Sequence, residues 1–166
     1  MHGRLPLLND ENVDIGAFCA NGLASYSVAR LVDDRPSFVY LWARDGDGIA
    51  LCSEPIDVAT RLEVGVMKVA KADKRVAHGE ASETRLPDEF LSPTTAFILQ
   101  IEANGIVVDN GLYLLTKAGG EFQIASANYP NALSFKIDKR SKDYEPEYLA
   151  PDYRFIELAG RSTGRG

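Results

Sequence analysis

Phe38-Val39-Tyr40-Leu41-Trp42, then Asp45-Gly46-Asp47-Gly48, then Ile49-Ala50-Leu51-Cys52, is the stretch on which the fold turns. The first run is dense in β-branched and aromatic side chains, which suit a pleated, half-buried surface. It is apolar at both alternating sets of positions, so both faces are covered and the strand is central. The quartet between the runs brings two glycines, which adopt the positive φ of a tight turn without a steric cost. Strand, glycine-rich turn, strand is a β-hairpin.

Upstream, Tyr26, Val28, Arg30 and Val32 alternate with Ser25, Ser27, Ala29 and Leu31, the period of two that marks a strand. Asp33, Asp34, Arg35 and Pro36 make the polar turn that returns the chain to Phe38. Earlier still, Ile15, Phe18 and Cys19 fall on one face of a short helix from Asp14 to Asn21, preceded by the polar run Asn9 to Asn12.

Downstream, Pro55 to Leu62 reads as one turn of helix and Glu63 to Ala70 as a strand. Val64 and Val66 take one face of that strand, Met67 and Val69 are shifted, and Gly65 reads as a bulge. Residues 71–93 read as a long polar loop with a short helix near Asp88 to Leu91. Thr94 to Ile101, Ile106 to Val108, Leu112 to Leu115, Glu121 to Ser126, Leu133 to Ile137 and Tyr153 to Leu158 continue the strand pattern. Between two of them, Asp109-Asn110-Gly111 reads as a type I′ hairpin turn, because Asn-Gly flanked by apolar runs is the strongest short hairpin signal. The fold class that results is mainly β: an antiparallel, hairpin-rich sandwich or barrel of about nine strands with one to three short helices. Residues 1–160 are expected to form one domain and residues 161–166 a frayed tail.

The chain has 166 residues, of which 45% are hydrophobic and 25% charged, which places it among ordinary globular domains. Its net charge of −6 argues against nucleic acid, since a phosphate binder needs a basic stripe. The same charge favours encounter with a basic partner. No run reaches the length of a membrane helix, so no membrane is expected. Cys19 and Cys52 stand alone, with no Cys-x-x-Cys pattern; together with the absence of a signal-like apolar run this predicts a reduced, cytoplasmic protein.

The motifs that carry chemistry are weak. If Gly48 takes the glycine position of a calcium loop, Asp45, Asp47 and Glu54 fall on ligand positions, but Ala43 stands where the first carboxylate belongs. Gly46-x-Gly48 lacks the third glycine of a dinucleotide loop, which is Leu51 here. Only His2 and His78 supply imidazoles, so no metal and no cofactor is expected. No catalytic residue is assigned.

One segment stands out. Asp143, Tyr144, Glu145, Glu147, Tyr148, Asp152 and Tyr153 place four acids and three tyrosines in eleven residues without a base. Tyrosine offers large contact area with a polar tip, and acids beside it steer a basic partner. The expected function is therefore a non-enzymatic, cytoplasmic protein-interaction domain that neutralises or adapts a basic protein through this segment. Exposed edge strands would also allow a homodimer. The alternative is a small-molecule-binding barrel or carboxylate-dependent hydrolase, with Glu54, Asp57, Glu63 or His78 facing a pocket near residues 71–93.

Overall fold

A computed structural model of the chain describes residues 3–9, 13–31, 33–60, 62–73, 82–127, 131–137, 146 and 152–158. The hairpin at its centre joins β4 (Pro36–Trp42) to β5 (Asp47–Ala59), paired from Val39↔Leu51 to Trp42↔Gly48. Its turn closes where the Gly46 amide donates to the Ala43 carbonyl at 3.2 Å and the Ala43 amide to the Asp47 carbonyl at 2.8 Å. Gly46 has φ +91°, the left-handed position that ends a three-residue hairpin loop. The Asp45 carboxylate accepts from the Asp47 amide at 2.9 Å, so this acid is used inside the turn.

Around this hairpin lies one six-stranded sheet in the order β2-β6-β5-β4-β3-β7, which adds β2 (Leu8–Asn9), β3 (Ser25–Arg30), β6 (Leu62–Asp73) and β7 (Ser82–Arg85). The other sheet runs β11-β10-β9-β8-β12, with β1 (Gly3–Leu5) parallel to β9. Its strands are β8 (Thr94–Ala103), β9 (Ile106–Thr116), β10 (Glu121–Ser126), β11 (Leu133–Ile137) and β12 (Arg154–Leu158). The architecture is sandwich-like, with no closed barrel. Twelve strands are described, more than the nine expected. One α-helix, α1 (Ile15–Ala20), is capped by the Asp14 carboxylate, which accepts from the Ala17 amide at 3.0 Å. One turn of 3-10 helix spans Asp88–Leu91.

Two apolar clusters hold the sheets. The first sets Val39, Leu41, Leu51, Met67 and Val69 against Ala96, Ile98, Leu112, Leu114, Phe122 and Ile124, with Cys19 of α1 and Phe90 joining. The second gathers Val64, Val66, Leu99, Ile101, Val108, Ala125 and Tyr153. Strand β8 sends Ala96 and Ile98 to the first and Leu99 and Ile101 to the second, so it is buried on both faces. Strand β6 is divided in the same way, which explains the shifted pattern at residues 64–69.

Four local expectations are corrected. The β5–β6 ladder passes Pro55↔Gly65 without interruption, so Gly65 is not a bulge. Residues 55–59 are strand rather than helix. Proline is tolerated there because the ladder with β4 stops at Leu51, leaving that side of β5 without an amide partner. The stretch 71–93 contains the end of β6, β7 and the 3-10 turn. Finally, Asn110-Gly111 is not a turn. The hairpin between β8 and β9 turns at Asn104-Gly105, where φ is +53° and +77° and Ala103 pairs with Ile106, as a two-residue type I′ turn requires.

Asn110 instead occupies a β-bulge within β9. Leu99 pairs with Gly111 and Gln100 with Asp109, leaving Asn110 as the extra residue. Its side chain is fully buried: Nδ2 donates to the Gly65 carbonyl at 2.8 Å and Oδ1 accepts from the Tyr153 hydroxyl at 2.8 Å. Beside it, the buried Asp109 carboxylate accepts from Gln100 at 2.9 Å and from the Leu7 amide at 2.9 Å, tying down the N-terminal strands.

Candidate functional site

Of the acidic tyrosine segment, Asp143, Tyr144, Glu145, Glu147 and Tyr148 lie outside the described residues. Pro146 forms an isolated bridge with Ala127. Asp152 is exposed. Tyr153 is 8% exposed, packs in the second cluster and donates its hydroxyl to Asn110, so its ring anchors the segment and offers no surface. Both partners of that hydrogen bond are shielded from water, which makes its loss more costly than an exposed bond would be.

Tyr153 leads directly into β12, which reads Arg-Phe-Ile-Glu-Leu. One side of β12 pairs with β8, from Arg154↔Gln100 to Leu158↔Ala96. The strand ends its sheet, and among the described residues none pairs with its other side. Successive side chains point to opposite faces, yet both faces are apolar and open: Phe155 is 49% exposed and Ile156 42%. Phe155 stacks on Tyr113 with ring centroids 5.0 Å apart, which fixes one face of its ring and leaves the other to solvent. Tyr113 is itself held by donating its hydroxyl to Glu121 at 2.6 Å. Burial and the neighbouring Glu121 carboxylate push the Tyr113 phenol well above its usual range, so it stays a neutral donor. Arg154 lies 3.7 Å from Glu102. Glu157 is exposed opposite Phe97 and has no cation partner among the described residues.

The other edges are less inviting to a partner. Strand β11 is mostly buried, β2 has two residues, and β7 reads Ser-Glu-Thr-Arg. An open apolar edge is a liability that proteins normally blunt with charge, proline or a cover. At β12 the apolar pair Phe155-Ile156 sits at the centre of the edge.

The carboxylates considered for catalysis do not converge. Glu54, Asp57 and Glu63 are exposed on the β5–β6 hairpin, where Glu54 lies 3.8 Å from Lys68 and Asp57 faces Glu63 across the ladder. His78 lies outside the described residues. Among the described residues no group of three potential ligands is placed to hold a metal. A concavity of about 440 Å³ does lie beside the 71–93 stretch, lined by Ala24, Ser25, Glu83, Arg85 and Leu91. There the Ser25 hydroxyl donates to Glu83 at 2.6 Å and Arg85 pairs with Asp88 at 2.8 Å. Of the aromatic residues weighed for a groove, Tyr40 and Trp42 stack on each other with centroids 5.6 Å apart, whereas Tyr26 turns inward against Phe122. These three do not share a face.

Sequence reasoning read β12 as a strand but not as an edge, because strand order is a property of the whole fold. The adjacent exposed positions Phe155 and Ile156 were legible only as generic β formers. No described helix is long and apolar enough to cross a membrane. Comparison with protein-family models, curated proteins and solved structures finds no match.

Proposed function

We propose that this chain is a non-enzymatic protein-interaction domain that takes a basic protein partner along the open edge of β12 and the acidic tyrosine segment leading into it. The observation that carries this reading is the exposure of Phe155 and Ile156 on opposite faces of an edge strand. Such a strand offers main-chain hydrogen bonds for affinity and alternating side chains for selectivity. Charge supports the sign of the partner: the chain carries −6, and Asp152 and Glu157 flank the apolar pair. Both cysteines are free, which suits the reducing cytoplasm in which such a domain would neutralise or adapt its partner.

The test compares full-length variants in quantitative pull-downs from the source cell. One carries Phe155→Ser with Ile156→Thr; another carries Glu145→Lys with Glu147→Lys. The reading expects the same basic protein to be lost from both. Recovery unaffected by either pair of changes would overturn it.

The small-molecule reading keeps one supporting observation, the concavity at Ser25 and Glu83. It would be carried by Glu83 in place of Glu54, Asp57 or Glu63, and saturable binding of a metabolite that Glu83→Gln abolishes would favour it.

A further inference from the structure

We infer that β12 selects an antiparallel strand of the order basic, aliphatic, aromatic from another protein, and that it discriminates against a second copy of this chain; this rests on the interaction reading above. The argument is one of register. Directly opposed residues in a sheet share a face, and faces alternate along each strand. A partner strand therefore meets Glu157 and Phe155 on one face and Ile156 on the other. Antiparallel addition continues the sense of the β8–β12 pair and is the more stable mode per residue. Read in the partner's own direction, the first position lies opposite Glu157, which lacks a described cation partner and takes lysine or arginine. The second lies opposite Ile156 and takes a β-branched aliphatic. The third lies opposite Phe155, whose free ring face takes an aromatic. The fourth faces Arg154, already close to Glu102, and is left permissive.

A second copy cannot satisfy the same pattern. Pairing across a two-fold axis perpendicular to the sheet keeps each face on its own side. Opposed residues must then be an even number of positions apart in the sequence. Glu157 can meet only Phe155, Tyr153 or Glu157 of the other copy, and Arg154 only Ile156, Leu158, Asp152 or Arg154. Arg154 and Glu157 are three apart, so they never face one another. The register that places Arg154 opposite Asp152 also places Arg154 outside the apolar pair, which is then left unmatched. Self-pairing through β12 thus brings together either mismatched or like groups.

The experiment uses the full chain and three labelled synthetic peptides, read by fluorescence anisotropy at low salt. One has a lysine-valine-phenylalanine core flanked by threonines; one replaces the lysine with glutamate; one scrambles the core. The inference expects the lysine peptide to bind about tenfold more tightly than the glutamate peptide, since a cross-strand attraction becomes a repulsion. In the Glu157→Lys protein that preference should reverse, and the protein alone should sediment as a monomer. Equal binding of the lysine and glutamate peptides, an unchanged preference in Glu157→Lys, or a dimer that Ile156→Thr dissociates would overturn it. If the peptides fail while Glu145→Lys with Glu147→Lys still releases a basic partner in the pull-down, strand addition is wrong and the interaction reading stands. If neither responds, both are wrong.

Discussion

Replacing Asn110 with alanine separates the bulge from the turn that the sequence suggests. In the structure the change removes two buried hydrogen bonds of 2.8 Å each, one to the Gly65 carbonyl and one from the Tyr153 hydroxyl. A buried polar group deprived of its partner costs about 1–3 kcal/mol, so the pair amounts to about 2–5 kcal/mol. For a domain of this size that corresponds to a fall in Tm of about 6–12 °C. Asn104→Ala, at a true turn with φ +53°, should cost only about 1 kcal/mol. Urea denaturation and thermal melts of both variants, with Tyr153→Phe for a double-mutant cycle, supply the check. Tyr153→Phe alone should cost about 1–2 kcal/mol, and its effect should shrink in the Asn110→Ala background because the two groups share one bond. An Asn110→Ala protein within about 0.5 kcal/mol of the parent, or one less affected than Asn104→Ala, would refute the buried-bulge account.

Three further outcomes follow from the same geometry. Gly111→Ala should destabilise by about 2–3 kcal/mol in chemical denaturation, since the added methyl would press on the Ile124 carbonyl and Ala125 of the neighbouring strand. Burial pushes the Cys19 thiol up to about 12, so the native protein at pH 8 should resist iodoacetamide at Cys19 while half-buried Cys52 reacts first; mass spectrometry of the labelled peptides reads the order. Because that folded value is above the unfolded one, the stabilisation from Cys19 is complete below about pH 9 and declines as pH rises toward about 12; a Cys19→Ala comparison of stability at pH 8 and pH 10.5 isolates it, the parent losing more than the variant across that about 2.5-unit interval. Phe155→Ser with Ile156→Thr should leave Tm within about 2 °C of the parent, since both side chains are largely in solvent.

What was legible in the sequence is the local grammar. The run from Phe38 to Cys52 and the helix capped at Asp14 depend on neighbours a few residues away, and both form as read. Asn110-Gly111 misled because its flanks are as apolar as those of Asn104-Gly105, and the difference lies in partners far along the chain. Asn110 is satisfied by Gly65 and Tyr153, 45 and 43 residues distant. Pro55 argued against a strand because a ladder on both sides was assumed, whereas β4 stops pairing at Leu51. The candidate edge was hidden for the same reason. Arg154 to Leu158 reads equally well as an inner strand, and only the sheet order puts Phe155 and Ile156 in solvent. The buried role of Tyr153 likewise depends on the bulge opposite it.

Residue-resolved hydrogen exchange of the full chain, with and without the lysine-valine-phenylalanine peptide, tests the central claim most directly. The account predicts new protection at alternate amides between Arg154 and Leu158, because every second N–H of β12 faces the open side while the others already bond to β8. Protection confined to other strands, or no change along β12 at saturating peptide, would contradict it.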